Sequence, residues 1–268
     1  MIALQTGDCL GERLHFFQGN GISLNRTAYP ANERTAAMHY HPEAHISFVL
    51  QGGNVERRKA TQLERGPGSV TFYHAGEAHQ TIQKRFPAQH INLEIAGTLL
   101  KQYQLSEDVL GQGILKNPNV ALTMIRLYKE CIINDNFLAP SVGMLLVALT
   151  PDKVLKTVKP RWVERIEELL QDSWNQPLTL QDLALETGIH PVTISKYFPR
   201  YFHCTLGEYI RTLRVSKALQ LMRTSTLSLT EIAYLCGFAD QSHFSRTFQQ
   251  LTGFTPKRYQ HLGVPSPG

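Results

Sequence analysis

The stretch LTLQDLALETGIH (178–190) recurs further along the chain as LSLTEIAYLCGFAD (227–240), and this repetition decides the fold. Each copy has a serine or threonine, an acidic residue three positions later and a glycine a further six positions on. The matching positions are Thr179 and Ser228, Asp182 and Glu231, and Gly188 and Gly237. Self-similarity at a fixed period predicts one supersecondary unit that is used twice.

Each copy carries the signals of a short helix, a tight turn and a second helix. The hydroxyl residue with an acid three positions later predicts a capping box, and the glycine predicts where the short helix ends. Pro191 suits the first position of the second helix, and Asp240 can cap the equivalent helix in the second copy. This order of elements is typical of a helix-turn-helix motif.

Each predicted second helix has an apolar face and a polar face. Helical spacing places the apolar side chains on one side, where we expect a core. These residues are Ile194, Tyr197, Phe198 and Tyr201 in the first copy, and Phe244, Phe248 and Leu251 in the second. Helical hairpins with a purely structural role would show the same pattern.

The distribution of charge favours DNA binding over a purely structural role. Residues 188–262 contain nine Lys and Arg against three Asp and Glu, whereas residues 159–187 contain three against six. A basic region around the turns with an acidic region before it suits one surface that faces phosphates and another that faces solvent.

The run IAYLCGFADQSHFSRTFQQLTGFTPKRY (232–259) closely resembles the C-terminal signature of the AraC/XylS transcriptional regulators. Residues 178–222 resemble the first helix-turn-helix and the connecting helix of that family. The resemblance implies base contacts by Val192, Ser195, Lys196, Gln241, Ser242, His243, Ser245 and Arg246. Two positions depart from the family pattern: His190 replaces a small polar residue, and Cys204 replaces a glycine.

The predicted helix from Thr205 to Met222 separates the two motifs. At about 1.5 Å per residue it spans roughly 27 Å, so two recognition helices can enter adjacent major grooves about 34 Å apart. Lys196 and Arg246 suit guanine, and Gln241 can pair with adenine. The candidate phosphate contacts are Arg200, Arg211, Arg214 and Lys257.

Residues 1–97 are predicted to form β structure. Apolar runs on either side of Gly52-Gly53 predict a hairpin. Gly, Pro and Asn occur throughout the segment and predict turns between short strands. A small antiparallel barrel or sandwich is the expected outcome.

Four histidines form the one metal-like constellation in the sequence: His39, His41, His45 and His79. With GPGSV and GEAH they resemble the cupin pattern, in which metal-binding members usually have a glutamate at the position of His45. Imidazole ligands suit a divalent metal such as zinc, nickel or iron. An effector pocket without metal is the favoured alternative. Its candidate residues are His39, His41, His45, Arg57, Phe72 and His79.

Residues 98–150 are predicted to contain helices. Asn117-Pro118 predicts a helix start, and a second helix beginning at Ala139-Pro140-Ser141 carries an apolar stripe of Val142, Leu145, Leu146 and Leu149. Such helices can cover the open side of a barrel. In AraC-like regulators the equivalent helices often pair two subunits, so a homodimer through residues 117–150 is favoured.

These signals predict an α+β chain of two domains. The first is a cupin-like antiparallel β-barrel followed by helices, which binds an effector and dimerises (1–150). A linker covers 151–159, and Pro160 begins an all-α AraC-type DNA-binding domain with two helix-turn-helix motifs (160–262).

The predicted function is a sequence-specific DNA-binding transcriptional regulator that responds to a small effector and has no enzymatic activity. The family resemblance implies an activator, with RNA polymerase as a further partner. The first alternative is a metal-dependent cupin enzyme fused to a DNA-binding domain, which needs a metal with open coordination positions. The second is a protein–protein adaptor, which the basic recognition faces disfavour.

Composition agrees with a globular protein: 268 residues, a net charge of +5 and four scattered cysteines without metal-type spacing. Apolar stretches are too short to span a membrane, and the N-terminus lacks the pattern of a signal peptide. A cytoplasmic protein without a membrane partner is therefore expected.

Overall fold

The structure is a computed structural model that describes residues 1–31, 37–59, 61–117, 119–150 and 160–262. The described residues form two compact units, one with residues 1–150 and 258–262, and one with residues 160–257. The linker predicted at 151–159 lies outside the described residues. The predicted domains 1–150 and 160–262 stay a prediction.

The first unit contains an eight-stranded sheet. Its strands are β1 Ile2–Ala3, β2 Glu12–Gly19, β3 Ile22–Tyr29, β4 His39–Tyr40, β5 Ala44–Arg58, β6 Gln62–Arg65, β7 Val70–Tyr73 and β8 His79–Ile95. The strand β8 is central because it pairs with β3, β4 and β5, and β5 also pairs with β6 and β7. Pairing is antiparallel except between β1 and β4.

Alternation along the strands gives the sheet an apolar face and a polar face. Ile46 on β5 lies opposite Leu93 on β8, and both side chains are fully buried. One residue earlier, His45 lies opposite Glu94 on β8 and Tyr73 on β7. The buried polar residues that share this second face are Ser23, Asn25, Thr27, His45, Thr71, His90 and Glu94. Both faces of the central strands are therefore buried, but only one is apolar.

The hairpin predicted at Gly52-Gly53 is wrong, because β5 continues through both glycines. The register between β5 and β8 shifts several times between Val49 and Asn54, which marks an irregular bulge. Gly52 has a φ of 80°, and a Cβ atom there would collide with the carbonyl oxygens of Arg85 and Pro87. The glycines thus permit a close approach of two strands instead of a chain reversal.

Four helices follow the sheet: α1 Gly97–Gln102, α2 Glu107–Lys116, α3 Val120–Ile133 and α4 Leu138–Leu149. The two predicted helices correspond to α3 and α4, whereas α1 and α2 were not predicted. Helix α2 packs on the apolar face, where a Cβ on Gly111 would lie 2.8 Å from the ring of Phe72.

The second unit is entirely helical in its described residues. It contains α5 Arg161–Asp172, α6 Leu180–Thr187, α7 Pro191–Phe202, α8 Leu206–Thr224, α9 Leu229–Leu235 and α10 Gln241–Thr252, and the last helix of the described residues is α11 Pro256–His261. The two predicted motifs correspond to α6–α7 and α9–α10. Buried Ile166, Leu170, Leu183, Ile194 and Phe198 join α5, α6 and α7 in one core. The predicted order of elements along the chain is confirmed: β structure comes first, helices follow it, and the second half is all-α. The cupin-like description of the first half stays a prediction.

Arg214 on α8 connects segments of both repeats. Its Nε and Nη2 atoms donate to the carbonyl oxygens of Trp174 and Gln176, each at 3.0 Å. Its Nη1 atom donates to the carbonyl oxygen of Gly237 at 2.6 Å. The guanidinium therefore joins the segment before α6 to the turn between α9 and α10.

The two turn glycines should respond differently to replacement by alanine. Both have positive φ, 70° at Gly188 and 74° at Gly237. A Cβ on Gly188 meets no atom within 4 Å, whereas a Cβ on Gly237 would collide with the Asn175 carbonyl oxygen and lie 3.0 Å from the Arg214 guanidinium. We expect Gly188→Ala to lower the free energy of unfolding by about 1 kcal/mol, and Gly237→Ala by about 3 kcal/mol, because the second also disturbs a charged hydrogen bond.

Urea denaturation followed by tryptophan fluorescence measures this difference. Both tryptophans of the chain, Trp162 and Trp174, lie in the helical unit, so the signal reports on that unit. Equal losses in the two variants would show that the close contacts at Gly237 do not constrain the turn.

Candidate nucleic-acid interface and imidazole cluster

The first helix-turn-helix has caps at both of its helix starts. Thr179 and Asp182 form the predicted capping box of α6, and Gly188 ends that helix in the left-handed conformation. His190 caps α7, since its Nδ1 atom accepts from the backbone N–H of Val192 at 3.3 Å. The departure from the family pattern at His190 therefore leaves the cap in place. After Cys204, Thr205 and Glu208 form a further capping box that starts α8.

The predicted base-contacting residues of α7 lie on its solvent side. Val192, Ser195 and Lys196 are exposed, whereas Ile194 and Phe198 are fully buried. Tyr197 was predicted on the buried face but is 37% exposed, and the Nζ atom of Lys196 lies 5.6 Å from the centre of its ring. This aromatic contact on the polar face was not predicted.

The second helix-turn-helix repeats the construction of the first. Ser228 and Glu231 form the capping box of α9, and Asp240 caps α10 by accepting from the backbone N–H of His243 at 2.7 Å. Hydrogen bonds from the capped groups lower the pKa of both carboxyls. Phe244 and Phe248 are fully buried, as predicted from the spacing.

The solvent side of α10 carries the predicted contacts of the second motif. Gln241, Ser242 and Arg246 are exposed, and His243 and Ser245 are half-buried. The hydroxyl of Thr230 on α9 donates to Oε1 of Gln241 at 2.7 Å. Thr230 was not predicted, because its importance depends on a contact with another helix.

The predicted phosphate contacts differ in availability. Arg200, Arg211 and Lys257 are exposed. Arg214 is half-buried, and three of its five N–H groups already donate to main-chain carbonyl oxygens. We therefore correct the prediction for Arg214, which holds the helical unit together instead of extending towards a phosphate.

In the first unit, the four predicted histidines converge and are all buried. One nitrogen from each of His39, His41 and His79 forms a group whose members lie within 4.8 Å of one another. His45 is outside that group, although its ring centre lies 4.2 Å from that of His41. The prediction of four candidate metal ligands is thus reduced to three.

The hydrogen bonds of the three imidazoles determine which nitrogen is free to bind a metal. The Nδ1 atoms of His39 and His79 lie 2.8 and 3.0 Å from the carbonyl oxygens of Ala37 and Glu77, which can only accept. Nδ1 of His41 lies 2.9 Å from the Glu94 carboxylate. Each Nδ1 therefore donates a hydrogen bond, so in the neutral form of each ring the lone pair lies on Nε2. Metal-binding histidines are held by outer hydrogen bonds of this kind.

Burial favours the neutral form of His39, His45 and His79. Desolvation lowers the pKa of His39, lowers that of His45 well below its ordinary value, and lowers the pKa of His79 to about 3. The neighbouring histidines act in the same direction. Neutral imidazole is the form that binds a metal.

Two residues that contact the cluster were missed in the sequence. Glu94 accepts from His41 and from the backbone N–H of Gly7. Tyr73 stacks on His45 with ring centres 4.3 Å apart. The alternation of β7 and β8 could have suggested both, but their register with β5 was unknown.

Two predicted pocket residues do not reach the imidazoles. Arg57 is exposed and donates to Gln62, because it alternates with buried Glu56 along β5. Phe72 lies on the apolar face against α2, because it alternates with Tyr73. Both predictions are wrong for the same reason: strand register assigns the neighbouring residue to the polar face.

Several polar atoms on the buried polar face have no hydrogen-bond partner. They are Oγ of Ser23, Oδ1 of Asn25, Oγ1 of Thr27 and Nδ1 of His45. Ser23, Asn25 and Thr27 are every second residue of β3, so their side chains share a face. Buried polar groups are normally paired with protein, water or ligand. This row therefore has unused capacity to bind a polar molecule.

Helix α4 has a buried side and an exposed apolar side. The predicted stripe residues Val142, Leu146 and Leu149 are buried within the chain. Phe137, Pro140, Met144 and Val147 are exposed instead, at spacings of three and four residues. We call these four residues the α4 stripe. Residues spaced in this way lie on one side of a helix.

Within the described residues, no helix combines the length and the apolar character that a membrane span needs.

The two exposed helix-turn-helix motifs define a class, that of helix-turn-helix proteins, and comparison with known proteins identifies the family. Residues 183–261 match the family model described as a helix-turn-helix domain. The chain is 37% identical over 239 residues to the uncharacterized HTH-type transcriptional regulator YpdC of Escherichia coli K12, and the alignment covers 80% of each chain. The chain belongs to the AraC/XylS family of transcriptional regulators.

Other relatives match a shorter part of the chain. The HTH-type transcriptional regulator GbdR of Pseudomonas aeruginosa is 30% identical over 115 residues, which are 42% of this chain and 31% of GbdR. The HTH-type transcriptional activator RhaR of Escherichia coli O1:K1 is 28% identical over 113 residues, which are 42% of this chain and 40% of RhaR. The chain thus spans less than half the length of these two relatives.

Proposed function

We propose that this protein is a sequence-specific transcriptional regulator whose helices α7 and α10 each read one major groove of double-stranded DNA. The observation that carries the proposal is the repetition of one capped motif with its polar side exposed both times. The proposed base contacts are Val192, Ser195, Lys196, Gln241, Ser242, His243, Ser245 and Arg246. Arg200, Arg211 and Lys257 are the proposed phosphate contacts.

Each recognition helix carries one exposed cation that can contact a base. Lys196 and Arg246 occupy corresponding positions of the two motifs, and both can donate to guanine O6 and N7. Phosphate contacts set the position of the protein on the duplex and make its affinity dependent on salt.

Selection of binding sites from a random DNA pool tests this proposal. Wild-type protein should select two short motifs about one helical turn apart, roughly 34 Å. Lys196→Ala should weaken base preference in one motif and Arg246→Ala in the other, each by about 1–3 kcal/mol of discrimination.

Arg165→Ala is the matched control, because Arg165 is an exposed cation on α5 that pairs with Glu168 and Glu186. Its selected motifs should equal those of wild type. Loss of preference in the same motif from both Lys196→Ala and Arg246→Ala would contradict one reading helix per groove.

Activation through contact with RNA polymerase is part of the proposal, supported by the name of the relative RhaR, a transcriptional activator. Transcription in vitro from a template with the selected site is the measurement that separates activation from repression. The relatives named above are called transcriptional regulators or, for RhaR, a transcriptional activator, which supports this function over a cupin enzyme or an adaptor. Absence of enzymatic activity and a cytoplasmic location stay part of the proposal.

The first unit is proposed to bind a small effector on its polar face, in a cupin-like arrangement. Support comes from the buried atoms of Ser23, Asn25 and Thr27 that have no partner. A ligand that satisfies them would favour the conformation in which they are ordered, and the bound state would alter DNA affinity.

A divalent metal is a second candidate ligand for this unit, because His39, His41 and His79 each offer one ring nitrogen within 4.8 Å of the others, and the Nδ1 atom of each has a hydrogen-bond partner. His39, His41 and His79 would hold the ion. Three histidines suit zinc, nickel or iron, and such an ion would supply a positive charge with room for a further ligand.

Measuring the metal content of the purified full chain tests whether the first unit binds a metal ion. Wild type should contain about one equivalent of metal, and His41→Gln should retain less than about a tenth, because one of three ligands is lost. His45→Gln is the matched control, since His45 belongs to the same cluster but not to the three-ligand group. Equal loss in both variants, or wild type without metal after incubation with zinc, would remove the metal from the proposal.

A homodimer through the α4 stripe completes the proposal. Phe137 and Met144 are 72% and 74% exposed, and α4 contains no charged residue. An exposed apolar stripe of this length favours burial against a second copy of the chain.

Sedimentation of single-residue variants tests the dimer. Met144→Glu should raise the dimer dissociation constant by about 100-fold, because a charge would be buried at the interface. Leu63→Glu is the control, since Leu63 is 53% exposed on β6, outside the stripe. A dimer unaffected by Met144→Glu would place the contact elsewhere.

A further inference from the structure

The contact between Thr230 and Gln241 bears on the base that α10 reads. Thr230 is the second residue of α9, and Gln241 is the first residue of α10. The Thr230 hydroxyl donates to Oε1 of Gln241 at 2.7 Å, and both side chains are exposed. This bond holds the carbonyl end of the amide against α9.

The first motif has no equivalent pair. The residues that correspond to Thr230 and Gln241 in the repeat are Gln181 and Pro191. Proline has no side-chain donor or acceptor, so the start of α7 cannot make this contact. The pair is thus a local difference between two otherwise similar motifs, located where the recognition helix begins.

The chemistry of the amide decides what Gln241 can recognise. Adenine offers an acceptor at N7 and a donor at N6, so a glutamine reads adenine with its carbonyl and its NH2 group together. Guanine offers two acceptors, O6 and N7. The amide oxygen can accept two hydrogen bonds, so the bond from Thr230 acts through direction: it turns the oxygen towards α9. The two N–H donors at the other end of the amide are then left for the base, and they match the two acceptors of guanine.

We propose that Thr230 is a positioning residue that orients the Gln241 amide so that α10 reads guanine at this base pair instead of adenine. The inference rests on the proposed function, since it refines how the second motif reads DNA. It also revises the sequence-based prediction that Gln241 pairs with adenine.

Site selection with five full-length proteins tests the inference: the wild type, Thr230→Val, Thr230→Ser, Gln241→Ala and the double variant Thr230→Val with Gln241→Ala. The base pair that loses its preference in Gln241→Ala identifies the position read by Gln241. Wild type and Thr230→Ser should prefer guanine there, because both retain the hydroxyl. Thr230→Val has nearly the same shape without the hydroxyl, and should shift the ratio of adenine to guanine at this position by about five-fold or more.

A merely structural role for Thr230 would change overall affinity but not the preferred base. The Thr230→Val substitution in a Gln241→Ala background should leave the preference unchanged, because no amide remains to be oriented. An identical preference in wild type and Thr230→Val, or adenine preferred by the wild type, overturns the inference while the proposed function stands. A wild-type protein that selects no motif overturns both.

Discussion

The helical unit depends on one half-buried constraint, the bonds from the Arg214 guanidinium to three main-chain carbonyl oxygens. Two of these carbonyls belong to Trp174 and Gln176, ahead of the first motif, and the third belongs to Gly237, in the turn of the second. Charged hydrogen bonds are each worth more than neutral ones, and a planar guanidinium fixes the direction of several at once. A single side chain on the connecting helix thus links the segment that precedes the first motif to the turn of the second motif. Desolvation lowers the pKa of Arg214, which is the cost of placing it there.

The helical half could be predicted from its sequence because its signals are local. The capping boxes of Thr179 with Asp182 and of Ser228 with Glu231 each lie within four residues, and both are present in the structure. The repeat strengthened the prediction, because the same local signals indicated a helix-turn-helix motif in each copy. Arg214 was assigned the wrong role because its partners are 23 to 40 residues away in the sequence.

The β-rich half was harder to predict because its organisation depends on strand register. Gly52-Gly53 has the composition of a turn, yet the approach of the β8 segment at Arg85 and Pro87 makes it a bulge within one strand. Register also decided that Tyr73 and not Phe72 meets the histidines. The convergence of the histidines was predicted from alternation, but their partner Glu94 is 53 residues from His41. Pairing over that distance leaves no signal in a single sequence.

The two motifs show how duplication can separate stability from recognition. The capping residues, the turn glycines and the buried aromatic side chains recur in both copies, because each helix pair must satisfy the same backbone groups and fill the same core. The starts of the two recognition helices differ: His190 and Pro191 begin one, whereas Asp240 and Gln241 begin the other. His190 and Asp240 each cap the helix that follows, so stability is preserved while the exposed chemistry changes. The first residue of α7 is a proline, whose side chain has no hydrogen-bonding group. The first residue of α10 is a glutamine, whose amide can donate to a base and is oriented by Thr230. Specificity can therefore change at these positions without altering the core that holds the helices.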